Sequence, residues 1–233
     1  MSLRLLLNRL ATSGMLVQCL LLSACGFMYH AEAIEGRVMD SQTEKPLEGV
    51  IVVAHWQLMG GFEGGVPIKQ LQIFEATTDQ NGRYQFPAWG PKFAVIGHLG
   101  SQSPRILMFK PGYKYLGLDN QWYEGRDSSK FDYNKKTVKL DPFKGTPAKY
   151  AEHLSSLSSS LWSIGFDIGY HSGDYCGWRS FPQMLRALNR LEAEFRSARV
   201  VEGTVVSSFK SNDKILKEKG CGSILEVIGG ADE

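Results

Sequence analysis

The side chains of this 233-residue chain best suited to chemistry are four cysteines and five histidines, and they are scattered rather than grouped. Cys19 and Cys25 belong to an apolar N-terminal run, while Cys176 and Cys221 stand in the last third. In an oxidising compartment the downstream pair forms a disulfide by default. The sharper alternative is a metal site drawn from His171, Asp174 and Cys176, although no C-x-x-C or H-x-x-H pair is present to anchor one. His171 and Asp174, with Tyr170, also offer a base and an orienting acid in the loop 165–178. Hydrolysis there would need a positioned nucleophile beside them. Trp89, Trp122 and Tyr123 are candidates for stacking on a ligand or glycan, against the commoner use of such rings in core and turn packing. The glycine-rich stretch 59–67 has no G-K-[ST] ending and no helix start behind it, so it reads as a flexible strand connection, not a phosphate loop. None of these sets implies a cofactor, and none completes a catalytic constellation.

The N-terminus carries an address. Arg4 and Arg9 precede the run from Met15 to Ala24, which is too short for a comfortable membrane span. Leu22-Ser23-Ala24-Cys25-Gly26 follows and resembles the bacterial lipobox, with small residues before a cysteine that is lipidated and becomes the mature N-terminus. Two acyl chains plus an N-acyl group anchor stably where one chain would be marginal. Gly26, rather than an acidic residue, suits sorting to the outer membrane. Cys19, preceded by Gln18, is the poorer match. Ala31-Glu32-Ala33 is a competing A-x-A site, at which a signal peptidase would release a soluble or secreted protein. With a net charge of +2, and both early arginines in the expected signal, the mature chain is close to neutral. It lacks the basic face of a nucleic-acid binder.

The elements that position these residues are read from period and punctuation. Residues 25–33 read as a tether. Ile34–Met39, Gly49–Leu58, Lys69–Thr78, Tyr84–Phe86, Lys92–Gly97, Pro104–Lys110, Tyr113–Leu118 and Thr137–Leu140 read as short strands between turns, the spacing of a sandwich or barrel. Asp79-Gln80-Asn81-Gly82 reads as the tight turn of a hairpin, with Asp79 bonding the backbone two residues on and Gly82 supplying positive φ. Pro111-Gly112 signals a type II turn. Both faces of the strand around Val50–His55 are largely apolar, which predicts cover on both sides, with the C-terminal region as the cover.

Glu35–Trp56, Ala76–Gly90 and Leu107–Tyr115 together resemble the carboxypeptidase regulatory-like domain of the transthyretin-like, or prealbumin-like, group. The residues that carry the likeness are Gly36, Val38, Asp40, Pro46, Gly49, Val52, Thr78, Asp79, Gly82, Tyr84, Phe86, Pro111, Gly112 and Tyr113, in that order. They span about residues 34–142. The resemblance implies an antiparallel β-sandwich whose motif residues serve turns and core. The zinc peptidase domain found beside such modules would need an H-x-x-E pair, and the transthyretin-like hydrolases carry a Y-R-G-S signature; neither is present. The related intradiol dioxygenases hold iron with two Tyr and two His. His55, His98, His153 and His171 supply the type, but their spacing gives that reading no support.

After Pro142 the pattern changes to helical. Tyr150, Leu154, Leu157 and Leu161 form one face of a helix over 147–162. Phe181, Met184, Leu185, Leu188, Leu191 and Phe195 trace a second amphipathic stripe, with Ser180 as its expected cap, Pro182 in its first turn, and Arg186, Arg190, Glu192 and Arg196 on the wet side. Lys210–Glu218 reads as a short charged helix, and the tail from Gly229 as fraying. The expected organisation is a lipoprotein signal at 1–24, a tether at 25–33, a sandwich at 34–142 and a helical extension at 143–233. The expected function is a non-catalytic binding or scaffolding module on the cell envelope. Its anchor is Cys25, its disulfide is Cys176–Cys221, and Trp89, Trp122 and His171 are candidate ligand contacts. The expected partners are the membrane and an envelope protein or glycan, not nucleic acid. The expected location is the periplasmic face of the outer membrane.

Overall fold

The computed structural model describes residues 27–61, 65–100, 102–121, 127, 129–166, 175–200 and 205–229. The architecture is mainly β, with antiparallel sheets followed by C-terminal helices. The larger sheet is built on β3 (Ile51–Gly60), flanked by β4 (Val66–Thr77) and β8 (Arg105–Phe109). Beyond β8 lies β9 (Leu116–Asp119), and the short β7 (His98–Leu99) joins the far end of β3. A smaller sheet has β2 (Ile34–Asp40) between β5 (Arg83–Phe86) and β10 (Thr137–Leu140). β2 and β10 run parallel, the exception among the otherwise antiparallel pairs of the described residues. β1 (Phe27–Ala31) and β6 (Trp89–Ala94) form a two-stranded ribbon.

The predicted double cover of β3 is present. Val52, Ala54, Trp56 and Leu58 share one core with Ile106 and Met108 of β8 and with Val38, Tyr84, Phe86, Val138 and Leu140 of the smaller sheet, a sandwich-like arrangement. The opposite faces of the same strands, Ile51, Val53, Leu107 and Phe109, share a second core with the helices. Those helices are α1 (Pro147–Gly165), α2 (Pro182–Ser197), α3 (Val205–Ser211), α4 (Asp213–Glu218) and α5 (Ile224–Gly229). Both predicted stripes are buried, from Tyr150 to Leu161 and from Phe181 to Phe195. A disulfide joins Cys176 to Cys221, as expected.

Several expectations are corrected. The turn after Thr78 does not close a hairpin, because β4 pairs with β3 whereas β5 pairs with β2. The chain crosses between sheets at 79–82. Thr78 still belongs to the larger sheet, where its hydroxyl accepts from Val50 N at 2.9 Å and donates to Leu47 O at 2.6 Å. Gly82, at φ +72°, already offers its carbonyl to Val38 N of the smaller sheet. A tight hairpin and an arch between sheets demand the same turn chemistry, so the residues alone do not separate them. Residues 27–31, expected as tether, form a paired strand. The β3–β4 ladder continues to Gly60 opposite Val66, so the glycine-rich loop is shorter than 59–67.

Ser180 does not cap α2. The side chain of Glu75, on β4, accepts from Gln183 N at 2.9 Å and Met184 N at 2.8 Å and occupies that place. Glu192 is buried rather than wet and accepts from the Ser207 hydroxyl at 2.8 Å. Other motif positions are structural. Asp40 accepts from Gln42 N, Thr43 N and the Tyr113 hydroxyl at 2.7, 2.8 and 2.8 Å. The Thr43 N–H, then Tyr113, hold its carboxyl below the usual range. Gly36 lies directly opposite Tyr84, whose ring occupies the space a Cβ would fill.

Candidate functional site

Strand alternation carries Ile51, Val53, His55 and Gln57 along the helix-facing side of β3. Ile51 and Val53 meet the helices. Further along, His55 and Gln57 line a cleft of about 450 Å³ with Met59, His98, Gln102, Ser103 and Arg105, closed on one side by Ser163 of α1.

A β-bulge supplies the buried partner of one of the cleft's polar groups. Trp56 stands opposite Gln72, but Gln57 stands opposite Gln70, leaving Leu71 as the extra residue on β4. An inserted residue re-aims the side chains that follow it. Here Leu71 enters the sandwich-side core, and Gln70 turns to the same face as His55. His55 Nδ1 lies 3.2 Å from Gln70 Oε1. With that oxygen accepting, Nδ1 carries the proton and Nε2 the lone pair. Nε2 is buried and has no hydrogen-bond partner among the described residues. Burial pulls the pKa of His55 down to about 4, and nearby Arg105 adds to the fall against the opposing effects of Gln70 and Asp119. The imidazole is therefore neutral at physiological pH, an acceptor and potential ligand rather than a cation.

Arg105 stands beside His55 in the register of β3 with β8. Its guanidinium is held in a fork by Asp119, with Nε–Oδ1 at 2.6 Å and Nη2–Oδ2 at 2.8 Å. The pair is partly solvated, so its contribution to stability is below about 1 kcal/mol, and its value lies in geometry. Asn120 is fully buried and ties the cleft's loop to the next one. It donates to Ser103 O at 2.5 Å and Lys130 O at 2.9 Å, and accepts from Asp132 N at 2.9 Å. That clamp fixes Ser103 on the wall of the cleft. A larger cleft of about 640 Å³ lies over Glu32–Glu35, Gln85–Pro87, Asn134 and Lys135. Its Asn134 is committed to backbone, accepting from Glu35 N at 2.9 Å and donating to Ala33 O at 3.0 Å. The smaller cleft is the one that gathers chemistry-bearing side chains.

Trp89 is only 8% exposed and packs edge-on against Trp56 at 5.5 Å between centroids. It serves the core and offers no open stacking face. Cys25, Trp122 and His171 lie outside the described residues, as do Tyr123, Tyr170 and Asp174. His55 and His98 line one cleft, while His153 packs against Tyr115 and Phe143 at the edge of the helical core. Among the described residues no three or more His, Cys, Asp or Glu side chains are grouped to hold a metal ion. The sequence reading missed Gln70, Ser103, Arg105 and Asn120. The usable signal was His55 itself, a histidine interrupting the apolar run of β3; the bulge that brings Gln70 to it has no sequence mark.

No protein-family model matches this chain, and no curated protein does. Solved structures give partial overlaps. The 3-chlorocatechol 1,2-dioxygenase of Rhodococcus opacus 1CP aligns over 48% of this chain and 61% of its own, with 15% identity and a TM-score of 0.32. The dioxygenase domain of a dioxygenase–carbohydrate-binding protein fusion from Streptomyces sp. SirexAA-E aligns over 52% and 84%, with 15% identity and a TM-score of 0.29. A 9R-lipoxygenase from Cyanothece PCC8801 aligns over 72% and 28%, with 13% identity and a TM-score of 0.26. This chain thus spans about three-fifths of the first of these. No residue role is carried over from overlaps of this kind. Among the described residues, no helix is long and apolar enough to cross a membrane.

Proposed function

We propose that this chain is a lipid-anchored cell-envelope protein whose transthyretin-like sandwich, of the carboxypeptidase regulatory type, acts as a non-catalytic binding module. The anchor is Cys25, and the proposed location is the periplasmic face of the outer membrane. The observation that carries this reading is the place of residues 27–33. Cleavage at Ala31-Glu32-Ala33 would remove β1. Ala31, 3% exposed, would be lost from beside Trp89, and so would the bond from Tyr29 Oη to Gly97 O at 2.6 Å and that from Glu32 N to Ser129 O at 3.1 Å. β6 would be left without its partner. Cleavage before Cys25 keeps all of these, which favours the lipobox over simple secretion.

The binding surface of the module is the cleft at His55, Gln57, His98, Gln102 and Ser103. Apart from Arg105, which Asp119 already engages, its lining offers imidazole, amide and hydroxyl groups, so it suits a hydroxyl- or amide-rich partner such as an envelope glycan or extended peptide. Labelled palmitate should enter the wild-type protein and be lost in Cys25→Ser. A mature N-terminus at Ile34 would sink the anchor. Isolated cell-wall sacculi should retain the protein, and the doubly exposed-site variant His98→Ala/Gln102→Ala should lose retention at unchanged melting temperature. Equal retention of both proteins would remove the cleft from the proposal.

A further inference from the structure

The β1–β6 ribbon has two unlike faces. One enters the core through Ala31 and Trp89, with Tyr29 and Ala94 packed beside them. The other presents Met28 at 69% exposure and Phe93 at 60%, and these two residues stand directly opposite each other. Val95 and Ile96 continue this apolar surface into the next turn, at 75% and 73% exposure. The turn is held in place rather than loose. Gly97 adopts φ +95° and sits so close to Ile68 and the Met59 carbonyl that no Cβ would fit, and its own carbonyl takes the Tyr29 hydroxyl. A contiguous apolar surface fixed in this way is a docking face, not incidental exposure.

We infer that this face lies against the lipid bilayer that holds Cys25. The inference rests on the lipid-anchor reading above and goes beyond it by fixing which side of the protein meets the membrane. Only three positions separate Cys25 from Met28 (28 − 25 = 3). Three residues span at most about 10 Å even when fully extended. A nine-residue tether would have let the body stand off from the membrane by about 30 Å. With residues 27–31 built into a strand, the body has no such slack. The acyl chains begin beside the ribbon, and Met28, Phe93, Val95 and Ile96 reach the headgroup–acyl boundary, where an apolar face buries to a depth of about 5–10 Å.

The full chain, matured in its host, carries the test. Ile96→Cys and Lys139→Cys are each labelled with an environment-sensitive fluorophore; both positions are exposed, and Cys176 and Cys221 are occupied by their disulfide. Each protein is reconstituted into phosphatidylethanolamine–phosphatidylglycerol vesicles, and the mass of its N-terminal fragment is read from the same sample. The expected result is a blue-shifted label at 96, quenched severalfold more by a lipid-soluble quencher than the label at 139. Equal exposure to water at both positions on an acylated protein overturns the inference and leaves the anchor standing. An unacylated Cys25 sinks the anchor by mass alone. The inference falls with it in that case, because no anchor then holds the ribbon at the bilayer. A blue shift that appears without vesicles and grows with protein concentration assigns the face to a second copy instead.

Discussion

At the scale of single residues, one buried and one half-buried ionisable side chain give the sharpest expectations. His55 titrates near 6.5 in an unfolded chain and is pulled down to about 4 in the fold. Between those values the unfolded state holds more protons, so stability falls as pH drops from about 6.5 to about 4. The loss attributable to this group is about 3 kcal/mol. Urea titrations from pH 7 to 4 should show wild type losing that much more than His55→Gln, whose side chain carries no titrating proton; parallel curves would contradict the burial of a neutral imidazole. Glu75 is the second case. Burial raises its pKa, while the Gln183 and Met184 N–H groups and nearby Arg186 oppose the rise. Glu75→Ala should cost about 1–2 kcal/mol through loss of the α2 cap, and Glu75→Gln, which keeps an acceptor, should cost less. Ser180→Ala should cost nothing measurable by the same assay. Both residues illustrate the limit of a linear reading. Ser180 sits where a cap is expected by sequence distance, but the carboxylate that performs the task lies more than a hundred positions earlier, on a strand that only the tertiary fold brings near.

At the scale of elements, strand and helix positions were legible because burial imposes a period. The leucine stripe of α1 and the apolar run of β3 are both where their spacing put them, and the two-sided apolarity of β3 correctly announced a second layer. Partnership between strands was not legible. The turn at Asp79–Gly82 carries its expected local bonds, with Asp79 accepting from Asn81 N and Arg83 N at 2.8 Å each. Yet it joins two sheets. This placement makes Gly82 intolerant of change: a Cβ there would lie 2.3 Å from the Val38 carbonyl, and φ is +72°. Gly82→Ala should therefore destabilise by about 2 kcal/mol or more, read as a lower denaturation midpoint. Gly112→Ala is the comparison, since its φ of +83° is similar but its surroundings are open. It should show the backbone cost alone. The bulge at Leu71 is the other silent device. Without it, Leu71 rather than Gln70 would stand opposite Gln57, and the candidate cleft would lose the partner of His55.

At the scale of the whole molecule, the helices and the sheets are not separable units. Ile51, Val53, Leu107 and Phe109 are covered only by the helical core. A fragment ending at residue 142 should accordingly bind an apolar dye or aggregate, where the full chain remains monodisperse by light scattering. Reduction of Cys176–Cys221, 45 positions apart, should cost about 4 kcal/mol by the chain-entropy relation and be visible as a lower melting temperature. The sandwich-like arrangement followed from strand spacing and turn residues, whereas the merging of ribbon, sheets and helices into two shared cores depends on contacts that no local pattern encodes. The parallel pairing of β10 with β2 sets an order of events during biogenesis. Val38 meets Val138, a separation of one hundred positions (138 − 38 = 100). A chain synthesised N-terminus first can close the β3–β4 pair as soon as residue 77 emerges, but one edge of β2 stays open until residue 140 follows. Throughout that interval the backbone donors of an early strand lie bare, available to any other extended chain, and loop closure over such a distance is slow. Folding from the N-terminus therefore leaves β2 open to wrong pairing until β10 arrives.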